Sequence, residues 1–135
     1  MENTALILID LQNDYFGSFE GAKLQLHETE LAAANALKIL NKFREKNMKI
    51  IHVRHEFNME NPPFFAPNSQ GAKIHDSLTP KENETQVLKH DVNSFKNTNL
   101  KEILDDSNIT NVIIVGAMSY MCVTAVTRAA SDFGY

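Results

Sequence analysis

The lone cysteine, Cys122, is the side chain best suited to covalent chemistry, and it lies where a strand pattern gives way to a helix. Gly116 opens a short turn before it, and Cys122, Val126, Ala129 and Phe133 follow at helical spacing. The first N–H groups of a helix are unpaired and its dipole is positive there, so this position favours the thiolate. The pattern indicates either a nucleophile or a small buried residue that packs a helix onto a sheet.

Two charged residues are predicted to lie at the same edge of the sheet as Cys122. Asp10 follows the apolar run at residues 5–9, and Lys89 ends a short strand pattern. Alone, Asp10 could cap a turn and Lys89 could be an ordinary surface lysine. Because ligands of parallel sheets gather at the carboxyl ends of the strands, all three side chains converge on one rim. That convergence favours nucleophilic catalysis by Cys122, whereas Ser119 lacks a G-x-S-x-G turn and a histidine partner.

Strand and helix patterns alternate along the chain. The predicted strands cover residues 5–9, 49–54, 86–89 and 111–115, and the predicted helices cover residues 28–46, 99–106 and the segment from Cys122 onward. Asn47 suits the left-handed position that closes the first helix. This alternation predicts an α/β fold with a doubly wound, mostly parallel sheet and helices on both faces. Residues 57–85 contain all four prolines, which is typical of a lid or a binding loop.

Composition narrows the classes of partner. The chain has 135 residues, 43% of them apolar and 22% charged, which fits a single globular domain. A net charge of −4 without a basic patch argues against a nucleic-acid partner, and no apolar run is long enough to span a membrane. A single cysteine excludes an internal disulfide framework, so we expect a cytoplasmic protein that binds a small molecule.

Four segments carry a family resemblance. The chain resembles the isochorismatase-like cysteine hydrolase superfamily, which includes nicotinamidases and N-carbamoylsarcosine amidase. The matching segments are LILIDLQNDYF at 6–16, IIHVRHE at 50–56, LKHDVNSFKNTNL at 88–100 and VGAMSYMCVTAVTRAASDFGY at 115–135. The last is the most specific, because its glycine, turn, cysteine and helix all fall in the family's register.

The resemblance also implies a size and an assembly state. It implies a Rossmann-like isochorismatase fold and one domain over residues 1–135 that lacks the family's last strand and helix. The sheet edge beside residues 111–115 would then be unpaired. It further implies a homo-oligomer.

The resemblance assigns roles to the three rim residues. It implies an Asp-Lys-Cys triad in which Cys122 attacks an amide carbonyl to form a thioester and Asp10 moves the protons. Lys89 would hold Asp10 and lower the pKa of the thiol. The oxyanion hole would use the backbone N–H groups of Met118 and Cys122, next to a cis peptide bond between Ala117 and Met118. The implied activity is hydrolysis of a C–N, amide-type bond of a small molecule.

Two other functions are considered. A non-catalytic binding or assembly module with the same fold is the main alternative. A flavodoxin-like cofactor binder is disfavoured, because no G-x-G-x-x-G follows the first strand and Asp10 would repel a phosphate there.

Aromatic residues are candidates for the substrate pocket. Tyr15 matches the family position near the substrate, and Phe95 and Tyr120 lie close in sequence to Lys89 and Cys122. Each of the three could equally be a core residue.

No catalytic metal and no cofactor are expected. Nicotinamidases carry an Asp-x-His metal motif after the second strand, and the corresponding residues here are Val53, Arg54 and His55. The histidines at this strand end are therefore interpreted as polar or packed residues. Arg54 pairs either with an anionic substrate group or with a neighbouring carboxylate.

Overall fold

The computed structural model describes residues 2–135, and it alternates strands with helices in the predicted order. The strands are β1 (Thr4–Ile9), β2 (Lys49–His55), β3 (Thr85–Lys89) and β4 (Asn111–Gly116); the helices are α1 (Thr29–Glu45), α2 (Leu100–Asp106) and α3 (Thr124–Asp132). Each begins within about two residues of its predicted start, in keeping with the usual uncertainty of element ends. Asn47 has a φ of 50°, which confirms the left-handed residue after α1.

The four strands form one parallel sheet in the order β3-β2-β1-β4. All six residues of β1 are buried, because the strand is paired on both sides and covered on both faces. Ile7, for example, lies opposite Ile51 on one side and Ile114 on the other. β4 lies at one end of this order, and its Ile113 is half-exposed.

Helices cover both faces of the sheet, which confirms the doubly wound α/β prediction. Successive β1 side chains point to opposite faces. One face packs Leu6 and Leu8 against α1, and the other packs Ile7 and Ile9 against α2 and α3. Within residues 2–135, no helix has both the length and the apolar character needed to cross a membrane.

The proline-containing segment 57–85 is held onto the chain that follows β1. The Asp14 carboxylate accepts hydrogen bonds from the N–H groups of Phe65 at 2.7 Å and Lys23 at 3.1 Å. The Gln12 amide donates to the Ala72 carbonyl at 2.7 Å. Residues 65–75 therefore form a wall that is fixed beside the carboxyl edge of the sheet.

The helical stripe predicted after Cys122 needs one correction. Cys122 and Val126 are buried as expected, but Ala130 rather than Ala129 continues the stripe, and Phe133 is 49% exposed. Ser119–Val123 form a π-helical turn before α3, and α3 ends at Asp132, so Phe133 lies beyond the helix.

Candidate active site

The carboxyl ends of the strands bring together four side chains. Asp10 follows β1, His55 ends β2, Lys89 ends β3, and Cys122 lies in the π-helical turn after β4. The Lys89 ammonium lies at the centre, with Nζ 3.0 Å from Asp10 Oδ2 and 3.4 Å from Cys122 Sγ. The predicted convergence of the aspartate, lysine and cysteine is therefore present in the structure.

These groups are shielded from solvent. The side chains of Asp10 and Lys89 are 0% exposed, and Cys122 is 6% exposed. The interpretation of Lys89 as a surface lysine is therefore wrong. Lys89 Nζ also donates to the carbonyls of Asp91 at 3.0 Å and Val92 at 3.3 Å, so protein groups replace its water shell.

The electrostatics correct the expectation of a stable thiolate. Burial, reinforced by the nearby Asp10 carboxylate, raises the pKa of Cys122 to about 11, although Lys89 acts in the opposite direction. Burial also raises the pKa of Asp10, again against the effect of Lys89. One buried cation balances one negative charge, so the resting site holds a thiol beside a carboxylate. Passing the thiol proton to Asp10 forms the thiolate without changing the charge of the site.

The backbone at and just before Cys122 has N–H groups that are free to bind a ligand. The Ala117–Met118 peptide bond is cis, as the resemblance implied. Within the described chain, the Met118 N–H has no hydrogen-bond acceptor, and the Cys122 N–H has none outside its own turn. Gly116 is required here, because a Cβ atom would lie 2.1 Å from the Ile9 carbonyl oxygen. An oxyanion hole at Met118 and Cys122 stays a prediction.

A cavity of about 310 Å³ opens beside this turn. Its walls include Leu11, Leu26, Ala32, Met118 and Tyr120. No Asp, Glu, Lys or Arg from residues 2–135 contributes to its lining. His27 also lines the cavity, whereas Asp10, Lys89 and Cys122 do not. The cavity has the size and the mostly apolar lining of a site for a small molecule.

The three residues predicted to line the substrate pocket occupy different places in the structure. Tyr120 lines the cavity and is 73% exposed. Tyr15 is buried and does not line the cavity, and burial, followed by the charges of Asp10 and Cys122, raises its pKa. Phe95 instead packs with Phe133, with ring centroids 5.1 Å apart, and does not line the cavity. Its role in a substrate pocket has no support from this placement.

The donor set does not fit a metal ion. Ligand atoms of Asp10, His55 and Cys122 lie within 4.8 Å of one another, which is a spacing that a metal could bridge. The Lys89 ammonium, however, lies 3.0, 3.1 and 3.4 Å from atoms of these same three side chains. A second cation at that position would meet strong repulsion.

The sequence did not single out His55 as a site residue, although it ends β2 on the same rim. The rule that selected Asp10 and Lys89 selects Arg54 at the end of the predicted strand 49–54, whereas β2 ends one residue later, at His55. Arg54, one residue earlier, pairs with Glu56 at 2.6 Å, which favours the neighbouring-carboxylate interpretation of that arginine.

Comparison with known proteins places the chain in a family. The family model described as the isochorismatase domain matches residues 4–135. The chain belongs to the isochorismatase family. Among isochorismatase-family proteins, the uncharacterized protein YddQ of Bacillus subtilis is 42% identical over 132 residues, covering 98% of this chain and 72% of YddQ. The secreted isochorismatase effector Isc1 of Verticillium dahliae is 37% identical, covering 99% of this chain and 68% of Isc1.

A solved structure agrees with the isochorismatase-family fold throughout the chain. The crystal structure of a putative isochorismatase hydrolase from Oleispira antarctica superposes with a TM-score of 0.96 and 55% sequence identity. The match covers 100% of this chain and 72% of that protein. Proteins of the isochorismatase family are generally hydrolases.

Proposed function

We propose that this isochorismatase-family protein is a cysteine hydrolase that cleaves a C–N, amide-type bond of a small molecule through a thioester. The proposal is carried by the buried Lys89 ammonium, which contacts Asp10 Oδ2 at 3.0 Å and Cys122 Sγ at 3.4 Å. A nucleophile, a base and a fixed positive charge within contact distance are the parts that covalent amide hydrolysis requires.

The first half-reaction acylates the sulfur. Asp10 takes the thiol proton as Cys122 Sγ attacks the amide carbonyl carbon, and the carbonyl oxygen becomes an oxyanion that the N–H groups of Met118 and Cys122 stabilise. The intermediate then collapses: the C–N bond breaks, Asp10 returns its proton to the leaving nitrogen, and ammonia or an amine departs. Lys89 keeps its charge throughout and balances the single negative charge.

The second half-reaction restores the thiol. Water attacks the thioester carbonyl carbon and gives its proton to Asp10, and the C–S bond breaks to release a carboxylic acid. Asp10 then protonates Cys122 Sγ. The raised pKa of Asp10 suits this work, because a buried carboxylate is a stronger base than an exposed one.

The cavity favours an uncharged substrate. With a volume of about 310 Å³ and a lining of mostly apolar residues, it accommodates a small amide, urea or carbamoyl compound. No Asp, Glu, Lys or Arg of that lining could pair with a charged group on the substrate, although His27 is part of it.

A panel of small uncharged amides, assayed for ammonia or amine release, tests the proposal. Cys122→Ala should lose roughly a thousandfold or more of the activity, as expected for loss of a nucleophile. Ser119→Ala, which removes the rival nucleophile, should keep its rate within a few-fold. Full activity in Cys122→Ala would contradict a cysteine nucleophile. No release from any compound by the wild-type protein would favour the non-catalytic alternative.

A further inference from the structure

His55 is buried beside the reactive groups and is held by its backbone. Its exposed fraction is 4%. The His55 N–H donates to Gln12 Oε1 at 2.8 Å, and Gln12 Nε2 donates to the His55 carbonyl at 2.7 Å. The imidazole packs on the Phe57 ring with centroids 4.4 Å apart. The ring therefore has little freedom to choose another orientation.

One ring nitrogen of His55 contacts Lys89, at 3.1 Å between Nδ1 and Nζ. Burial, followed by the charge of Lys89, lowers the pKa of His55 to about 4, so the ring is neutral at pH 7. An ammonium can only donate, so Nδ1 must accept and the ring proton must be on Nε2.

The other ring nitrogen has no partner. Nε2 of His55 is buried without a hydrogen-bond acceptor in residues 2–135. A buried, unpaired donor costs stability, and a purely apolar ring would pack on Phe57 without that cost. The histidine is therefore a poor choice for the core, and its Nδ1 contact with Lys89 is the feature that distinguishes it from phenylalanine.

We propose that His55 is a positioning residue that acts through Lys89, by accepting one ammonium proton and so holding Nζ between Asp10 and Cys122. Nζ has three protons, and five protein atoms lie within 3.4 Å of it. Without the Nδ1 acceptor, the ammonium turns toward the Asp91 and Val92 carbonyls, and the sulfur loses its positive neighbour. The inference rests on the proposed function for its biological meaning, but its first tests need no substrate.

The tautomer is tested on the wild-type protein. ¹⁵N NMR of histidine-labelled protein should show His55 as the neutral Nε2–H tautomer, with no titration between pH 5 and 8. A proton on Nδ1, or titration near pH 6.5, would overturn the proposal even if every variant failed to fold.

Variants test the effect on the sulfur. Cys122 is the only cysteine, so alkylation by iodoacetamide reports on it alone. His55→Phe keeps the ring and removes the acceptor, while His55→Asn restores an acceptor, Oδ1, close to the Nδ1 position. We expect the alkylation rate at pH 8 to fall about tenfold in His55→Phe, which corresponds to a rise of about two in the apparent pKa of the thiol once its higher nucleophilicity is counted. The rate should stay within about threefold in His55→Asn.

The pH profiles of the alkylation rate must be compared between proteins that keep every titratable group around Cys122 and position 55. The groups that act on Cys122 or His55 are Asp10, Tyr15, Lys89, His90 and Asp91. Equal profiles for wild type and His55→Phe, or equal losses in both variants, would contradict the positioning role. His55→Phe should also melt no lower than the wild type, which a purely structural role would not predict.

Steady-state kinetics complete the test once a substrate is known. His55→Phe should lower kcat and leave KM nearly unchanged, because His55 acts through Lys89 rather than on the substrate. A raised KM with an unchanged kcat would instead assign the Nε2–H to substrate binding and overturn the inference. If no amide is turned over, the alkylation profiles still decide the role of His55.

Discussion

Replacing Asp10 by asparagine should separate the reactivity of the thiol from catalysis. The asparagine side chain would have no charge and could not accept the thiol proton, while Lys89 would keep its positive charge beside the sulfur at 3.4 Å. We therefore expect the apparent pKa of Cys122 to fall and amide hydrolysis to be lost. If Asp10 only shaped the site, a more reactive thiol would not be accompanied by a loss of amide hydrolysis.

The magnitude follows from the geometry. Two unit charges within 4.8 Å interact by about 3.5 kcal/mol at an effective dielectric constant of about 20. Removing the Asp10 charge should therefore lower the pKa of the thiol by about 2.5, from about 11 to about 8.5. The thiolate fraction at pH 7.5 then rises about 300-fold, but each thiolate is less nucleophilic, so alkylation should become on the order of 20-fold faster. Hydrolysis should fall by about 10² to 10⁴, the usual contribution of a general acid–base group.

The assay is the iodoacetamide rate between pH 6 and 11, measured beside amide hydrolysis. Asp106→Asn makes the same chemical change at an exposed position and should alter neither quantity. Circular dichroism must show that the Asp10→Asn protein is folded, because loss of one partner of a buried ion pair can cost about 3–5 kcal/mol. An apparent thiol pKa in folded Asp10→Asn that equals or exceeds the wild-type value would refute the reasoning.

Two further predictions concern stability. Burial alone would raise the pKa of Glu84, but hydrogen bonds from Arg44, Lys81 N–H and His52 lower it to about 2, below the ordinary 4.5. Its stabilisation is therefore complete above pH 4.5 and lost as the pH falls toward about 2. Urea titration should find Glu84→Gln less stable than wild type by about 3 kcal/mol at pH 7, and this difference should shrink toward pH 3. The matched control is Glu82→Gln, at an exposed position. A difference that does not depend on pH, or an equal loss of stability in the control, would contradict the prediction. Gly71→Ala would place a Cβ 2.2 Å from Asp14 Oδ1, whereas Gly17→Ala meets nothing closer than 3.6 Å. We expect Gly71→Ala to lower the free energy of unfolding by about 1–3 kcal/mol and Gly17→Ala to leave it almost unchanged. Equal melting temperatures for the two variants would show that segment 65–75 is not held by Asp14 as described.

The sequence predicted the parts of this structure that depend on local pattern. Five consecutive apolar residues indicated a strand buried on both faces, and the rim rule then selected Asp10, Lys89 and Cys122. The cis peptide at Ala117–Met118 came from the family resemblance and is present.

Properties that depend on tertiary packing were not predictable in this way. A helix start suggested a thiolate at Cys122, but the burial that raises its pKa arises from neighbours distant in the chain. The contact of His55 with Lys89 joins residues 34 positions apart, and no spacing in the sequence encodes it. Phe95 lies close to Lys89 in sequence, yet it packs with Phe133 after α3.

The thioester is the most direct test of the account. Once a substrate is found, the wild-type protein should be quenched in acid during turnover, digested and mapped by mass spectrometry. The account predicts an acyl group on the peptide that contains Cys122, sensitive to hydroxylamine and absent from Cys122→Ala. Turnover of the substrate by Cys122→Ala at the wild-type rate, with no acyl group on the sulfur of the wild-type protein, would contradict it.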